Sequence, residues 1–269
     1  MIKSFPSPIK WLAQSILGER RYNRLGTSYY QWCEDRDPRF RASLKRITSL
    51  KDKHWGERCF IIGNGPSLRK TNLSLLRDEA TFGLNRIYLL FDELAFSTTY
   101  YVAVNRLVIE QCAHEIKGLP CPKFISRRSC DLIDFTDTMI FLQCRQGHDP
   151  SFSTDIAEGV WEGATVTYVA LQIAYYMGFA KVILVGVDHS YSAKGKPSST
   201  VVSEGDDLNH FDPRYFGKGF RWQLPCLETS ELAYRIAKHK YKSTNREIVD
   251  ATVDGHLLIF PKVDYQTLF

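Results

Sequence analysis

Three stretches of the sequence hold the residue types from which phosphate and proton-transfer chemistry is built. Residues 58–68 read Arg-Cys-Phe-Ile-Ile-Gly-Asn-Gly-Pro-Ser-Leu. Gly63 and Gly65 permit backbone angles and close approaches that a Cβ forbids. The N–H groups of such a turn can face an anion, and Asn64 and Ser67 add side-chain donors. The same glycines would serve a plain strand-to-helix turn, and the stretch is neither a Walker A loop nor a GxGxxG fingerprint. A second stretch places Gly163, Thr165 and Thr167 where a helix begins, so free N–H groups and hydroxyls there could hold an anion or a sugar, or merely cap the helix. The third, residues 210–222, offers His210 as a candidate general base. It adds Arg214, Lys218 and Arg221 as cations and Tyr215, Phe216 and Trp222 as stacking surfaces. Asp188 and His189 follow an apolar run; the carboxylate can accept a proton, contact a ligand or cap the next turn.

The elements that must position these residues alternate along the chain. Apolar, β-prone runs at 59–62, 80–85, 99–104, 123–126, 139–142, 181–188 and 246–252 predict strands. Helical spacing appears at 72–77, 107–116, 163–178 and 227–240. This order predicts an α/β, Rossmann-like fold with a mostly parallel, doubly wound sheet. Ligands of such sheets bind beyond the carboxyl ends of the strands, and three strands run out at Asn64, Asn85 and Asn105. Asparagine offers a donor and an acceptor there, and it also tolerates turn geometry. Residues 192–212 are polar and rich in Gly, Ser, Lys and Asp, which predicts a lid at about 190–222. The expected organisation is a helical N-terminal extension over 1–55 and an α/β domain over 56–269.

Composition narrows the class of partner. The 269 residues carry a net charge of +5, with 44% hydrophobic and 24% charged residues, ordinary for a globular protein. The charge favours anionic partners but falls short of a nucleic-acid-binding signature, and no basic-aromatic module accompanies it. No apolar run approaches the roughly 20 residues of a membrane span. Seven cysteines without a CxxC pair, and no signal-peptide pattern, predict free thiols and a cytoplasmic location. Residues 7–24 combine Ile9, Leu12, Ala13, Ile16 and Leu17 at helical spacing with Arg20, Arg21 and Arg24. Such a helix can lie on an anionic membrane or dock on the protein's own flank. No paired-Asp motif stands out, and no protein metal site is expected.

The run Ile61-Ile62-Gly63-Asn64-Gly65-Pro66-Ser67-Leu68, then Gly83-Leu84-Asn85-Arg86, then the 163–178 helix feeding 182–189, resembles the MptE-like superfamily. That superfamily includes motility-accessory flagellin glycosyltransferases and archaeal 6-hydroxymethylpterin diphosphokinases. The sequence is also similar to the bacterial sialyltransferases of glycosyltransferase family 42. The resemblance covers most of 59–269 and leaves out 1–55. It implies a nucleotide-binding sheet, contacts to CMP from Asn64 and Asn85, and donor contacts from 163–167. Where family 42 has a Tyr-Ile-Gly-His segment that holds the phosphate and supplies the base, this chain has Tyr215-Phe216-Gly217-Lys218. Lysine is a better phosphate partner than base, which leaves the base role to His210 or Asp188. The implied reaction moves a nonulosonic-acid-type sugar from a CMP donor to a glycan or lipid-linked acceptor, with no tightly bound cofactor. The other branch implies a pyrophosphokinase that uses ATP and Mg²⁺, with Asp188, Asp206 or Asp207 near the metal. A nucleotide-binding protein without catalysis is the third reading.

Overall fold

The strands of the main sheet are short, mostly apolar and mostly buried, which a parallel sheet requires because its faces are covered by crossover segments. The computed structural model of the protein describes residues 37–147, 149–191 and 195–269. The 7–24 segment therefore lies outside the described residues. In chain order the elements are α1 (Pro38–Leu50), β1 (Arg58–Ile62), β2 (Thr81–Leu84), α2 (Phe91–Leu94), β3 (Tyr100–Ala103), α3 (Arg106–Gln111), α4 (Ala113–Gly118), β4 (Lys123–Ser126), β5 (Met139–Leu142), β6 (Cys144–Arg145) and β7 (Val160–Trp161). There follow α5 (Val166–Tyr176), β8 (Lys181–Val185), β9 (Thr200–Val202), β10 (Arg221–Gln223), α6 (Leu227–Lys242) and β11 (Glu247–Asp250).

The main sheet has the order β11-β8-β1-β2-β3-β4-β5, with every pair parallel. From β1 the chain builds outward in one direction through β5, then returns to place β8 and β11 on the other side. The switch point of this doubly wound α/β sheet thus falls between β1 and β8, where a crevice opens at the carboxyl ends. Two small ribbons stand apart, antiparallel β9 with β10 and parallel β6 with β7. Among the described residues no helix is long and apolar enough to cross a membrane.

Ser43–Phe269 form one compact unit. Residues 43–55, which the sequence analysis placed in the N-terminal extension, pack within it: Ser43 Oγ accepts the Phe141 N–H at 2.9 Å, and Ile47 and Leu50 are buried. Of the other unit, the described part is the start of α1, where the Asp37 carboxylate accepts the Arg39 N–H at 2.8 Å.

Several elements depart from the sequence expectation. The helix expected over 107–116 is two, broken at Cys112. The stretch at 72–77 and the one after Gly65 are single 3₁₀ turns, Leu73–Leu76 and Pro66–Lys70. The last strand is trimmed to Glu247–Asp250, and the polar segment after residue 192, expected as loop, supplies β9.

The buried helix α5 carries one polar side chain that organises its surroundings. Gln172 is fully buried, and its Oε1 accepts the N–H groups of Ser153 and Trp161, each at 3.0 Å. Its Nε2 donates to the Trp161 carbonyl at 2.8 Å and the Tyr168 carbonyl at 3.0 Å. Gln172 thereby fixes the segment that leads into Glu162 and Gly163. Gln172→Leu leaves two N–H groups and a carbonyl unpaired in the core, so we expect a loss of about 3 kcal/mol or more. A urea unfolding midpoint close to that of the wild type would show that the four bonds do not matter.

Candidate functional site

A cavity of about 1070 Å³ opens at the carboxyl ends of the strands, over the β1/β8 switch point, and extends to the end of β4. Its floor is built by close approach. The Gly63 N–H donates to the Val185 carbonyl at 2.7 Å, and the Gly65 N–H donates to the Gly186 carbonyl at 2.9 Å, so the pairing of β1 with β8 continues past both strands. A Cβ on Gly63 would overlap the Gly186 carbonyl, and one on Gly65 would overlap the Asp188 carboxylate. Only glycine fits either position.

Asp188 closes this turn. Its Oδ1 accepts the Ser67 N–H at 3.0 Å and its Oδ2 accepts the Ser67 hydroxyl at 2.6 Å. Burial pushes the Asp188 carboxyl above the ordinary carboxylate range, against the opposing pull of the two Ser67 bonds. The N–H groups expected to face an anion at Gly63, Gly65 and Ser67 are thus all engaged within the protein, as is the Ser67 hydroxyl. Ser67 itself does not line the cavity. The reason is geometric: the segment after Gly65 is one tight 3₁₀ turn folded back onto β8, not a longer helix pointing its amide end into the crevice.

The other expected residues divide into those with free polar ends and those already engaged. Asn64 and Asn85 both line the cavity, and the Oδ1 of each is buried with no hydrogen-bond partner among the described residues. Buried polar atoms in folded proteins are nearly always paired, so two such atoms on residues that line one cavity call for a partner. Asn85 also adopts φ 48°, a left-handed turn that asparagine tolerates better than most residues. Asn105 lines the cavity but serves mainly as the cap of α3, with Oδ1 accepting from Leu107 N–H at 2.9 Å. Its Nδ2 donates to Gln223 Oε1 of β10 at 3.1 Å.

Gly163, Thr165 and Thr167 come together at the cavity wall where α5 begins. Thr165 caps the helix, accepting the Thr167 N–H at 3.3 Å. Gly163 and Ala164 both take left-handed angles, φ 52° and 59°, and for alanine that is a strained conformation. His189, at φ 55°, lines the same cavity and pairs through Nε2 with Glu231 Oε1 at 3.1 Å.

The segment 207–216 lies across the turn. The Phe211 N–H donates to the Asn64 carbonyl at 3.0 Å, and Arg69 Nε donates to the Phe211 carbonyl at 2.8 Å. Arg86, next to Asn85, donates to the Arg214 carbonyl at 2.8 Å and also to that of Tyr215. Tyr215 is buried with its hydroxyl 3.5 Å from the Arg86 N–H and against the Asn85 side chain; burial raises its phenol. His210 stacks on Tyr215, with ring centroids 3.9 Å apart and planes 9° from parallel. Its Nδ1 meets Asp207 Oδ2 at 2.7 Å, and its ring lines the cavity.

The three cations expected of the third stretch are elsewhere. Lys218 is exposed and outside the cavity lining. Arg214 is held by Asp212 at 2.6 Å, and Arg221 by Glu110 at 3.1 Å. Arg221 and Gln111 also exchange two bonds of 2.8 Å that fasten β10 to α3.

The sequence reading missed the far end of the cavity. Ser126 ends β4, Arg128 and Ser129 follow it, and all three line the cavity, as do Arg106 and Glu162. Arg128 pairs with Glu162, and Arg106 pairs with Asp131 at 2.7 Å. Burial raises the Glu162 carboxyl against the pull of Gln146 and Arg128. The rule that flagged Asn64 and Asn85, position at the carboxyl end of a strand, applies equally to Ser126 and the residues behind it. Asp207, three residues before His210, was legible only as a carboxylate and not as the partner of that ring.

Because the Asp188 carboxyl titrates higher folded than unfolded, its contribution to stability is present at low pH and lost as pH rises through the folded value. Asp188→Asn can keep both Ser67 contacts without that ionisation. We therefore expect the variant's stability relative to wild type to improve from about pH 4.5 to about pH 7.5. Urea titrations at the two pH values check this; a relative stability that falls with pH would contradict it.

No protein-family model and no curated protein matches the sequence. The fold is similar to the solved structure of the MAf glycosyltransferase from Magnetospirillum magneticum AMB-1, at a TM-score of 0.53 and 15% identity over 85% of this chain. The chain spans 38% of the length of that protein. What the likeness establishes is a shared Rossmann-like α/β architecture.

Proposed function

We propose that this chain is a glycosyltransferase of the MptE-like kind that transfers a nonulosonic-acid-type sugar from a CMP donor to a hydroxyl of a glycan or lipid-linked acceptor. The observation that carries the reading is that Asn64 and Asn85, whose amide oxygens are buried without a partner among the described residues, line one switch-point cavity with His210. Two acceptors fixed by adjacent strands suit the hydroxyls of a ribose and the amino group of a base. The similar fold belongs to a protein described as a glycosyltransferase, and the sequence resemblance points the same way.

In this reading CMP lies along Asn64 and Asn85. The phosphate faces the start of α5, where Thr165, Thr167 and the helix dipole favour negative charge, with the Tyr215 hydroxyl nearby. The acceptor oxygen attacks the anomeric carbon of the sugar. The bond from that carbon to the phosphate oxygen breaks, its electron pair leaves with CMP, and the acceptor's proton passes to His210 Nε2. His210 is preferred over Asp188 as the base because both Asp188 oxygens are held by Ser67, whereas His210 Nε2 has no hydrogen-bond partner among the described residues. Lys218 has no part in this scheme.

A diphosphokinase would need carboxylates turned toward a metal between phosphates. Asp188 is committed to Ser67, Asp207 to His210 and the backbone, and Asp206 is exposed outside the cavity lining.

Calorimetric titration separates these readings. We expect CMP to bind, with binding lost in Asn64→Ala and in Asn85→Ala, and a non-hydrolysable ATP analogue with Mg²⁺ to bind more weakly. Metal-dependent binding of the ATP analogue without CMP binding would overturn the proposal in favour of the diphosphokinase. With a CMP-activated nonulosonic acid as donor, we expect His210→Ala to lower kcat by about 10²- to 10⁴-fold and Asp188→Asn to lower it only a few-fold. The reverse ranking would return the base role to Asp188.

A further inference from the structure

One titratable pair at the cavity wall, of which only His210 lines the cavity, is used by the transfer scheme only in half. His210 donates or accepts through Nδ1 at 2.7 Å from Asp207 Oδ2. The same carboxylate accepts the Asn209 N–H on Oδ1 at 2.8 Å and the Phe216 N–H on Oδ2 at 3.1 Å. The Asp207 side chain is 4% exposed, so this carboxylate is held from the backbone on both sides of His210. The imidazole plane is set separately, by the Tyr215 ring beneath it and by Phe216 edge-on at 5.0 Å and 74°.

We propose that Asp207 is a positioning residue that locks His210 in the Nδ1–H tautomer and turns the Nε2 lone pair toward the cavity. The inference rests on the reading of His210 as the base and adds the residue that makes it one. An ionised carboxylate can only accept hydrogen bonds, so the proton between the two groups sits on Nδ1. Burial raises the Asp207 carboxyl, but the bonds from His210, Asn209 and Phe216 outweigh that effect and hold it below the ordinary range. The carboxylate is therefore ionised at neutral pH. A neutral imidazole protonated on Nδ1 has its lone pair on Nε2, the nitrogen with no hydrogen-bond partner among the described residues. A free imidazole in water favours the opposite tautomer, in which Nε2 carries the proton and cannot take another. When Nε2 accepts the acceptor's proton, the imidazolium forms against the Asp207 carboxylate, and no side chain has to move.

The tautomer can be read without turnover. In the full chain labelled with ¹⁵N-histidine, long-range ¹H–¹⁵N correlation distinguishes a protonated ring nitrogen from one with a lone pair, and the His210 signals are identified by their loss in His210→Gln. We expect wild-type His210 at neutral pH to show Nδ1 protonated and Nε2 bare, and Asp207→Asn to shift the population toward Nε2–H. Asp206→Asn, at an exposed neighbour outside the cavity, should leave the spectrum and the activity unchanged. With a CMP-activated nonulosonic acid as donor, Asp207→Asn should lower kcat by about 10²-fold or more, with the donor KM within a few-fold of wild type and part of kcat recovered in Asp207→Glu. Protonation of Nε2 in the wild type, or an unchanged tautomer in Asp207→Asn, overturns the proposal. If Asp207→Asn fails to fold, the wild-type spectrum alone decides. Full activity in His210→Gln, by contrast, defeats the base assignment and leaves the tautomer result standing.

Discussion

The two oxygens of Asp188 grip the amide and the hydroxyl of Ser67, and this clamp sets where the β1 turn can lie against β8. A doubly wound sheet always opens a crevice at its switch point, but here the crevice floor is drawn tight. Gly63 and Gly65 donate to carbonyls just beyond β8, and neither has room for a Cβ. The consequence is a turn whose Gly63, Gly65 and Ser67 N–H groups are bonded within the protein, while Asn64 lines the cavity. What looks in sequence like an anion cradle is a structural seam that presents an amide. The burial that raises the Asp188 carboxyl is the cost of that seam, and the Ser67 bonds offset part of it.

The segment 207–216 depends on the same seam. Phe211 hydrogen-bonds to the Asn64 carbonyl, Arg69 from the turn reaches back to the Phe211 carbonyl, and Arg86 from the end of β2 holds the carbonyls of Arg214 and Tyr215. His210 is thereby carried on a segment fastened to two neighbouring strand ends, and its ring is stacked on Tyr215. The base role proposed for His210 would require precision of this kind, since proton transfer falls off steeply outside hydrogen-bonding distance. The β9/β10 ribbon extends the arrangement outward, tied to α3 through Gln111 and Asn105.

The cavity is also asymmetric in charge. Around the switch point the groups without a partner among the described residues are amides and an imidazole, whereas at the β4 end they are the hydroxyls of Ser126 and Ser129, and Arg106 and Arg128 are each matched by a carboxylate. Matched pairs present donors and acceptors in balance and no net attraction for an anion. That chemistry suits a hydroxyl-rich ligand better than a second phosphate.

Periodicity and composition by themselves determined the sheet: the strands at 123–126 and 139–142 were legible to the residue, and β1, β2, β3 and β8 to within a few residues, because buried parallel strands leave unbroken apolar runs. The rule of strand ends also pointed to Asn64 and Asn85, since chain position alone puts them at the carboxyl edge. Tertiary structure decided the rest, because direction and pairing are settled by neighbours that are distant in sequence. It turned the Ser67 amide and hydroxyl to Asp188, 121 residues away, made Asn105 a helix cap, and left Lys218 outside the cavity. It also turned Asp207, otherwise one acid in a polar loop, into the partner of His210. No local pattern encodes which of a side chain's polar atoms will be buried without a partner; only the packed fold fixes that.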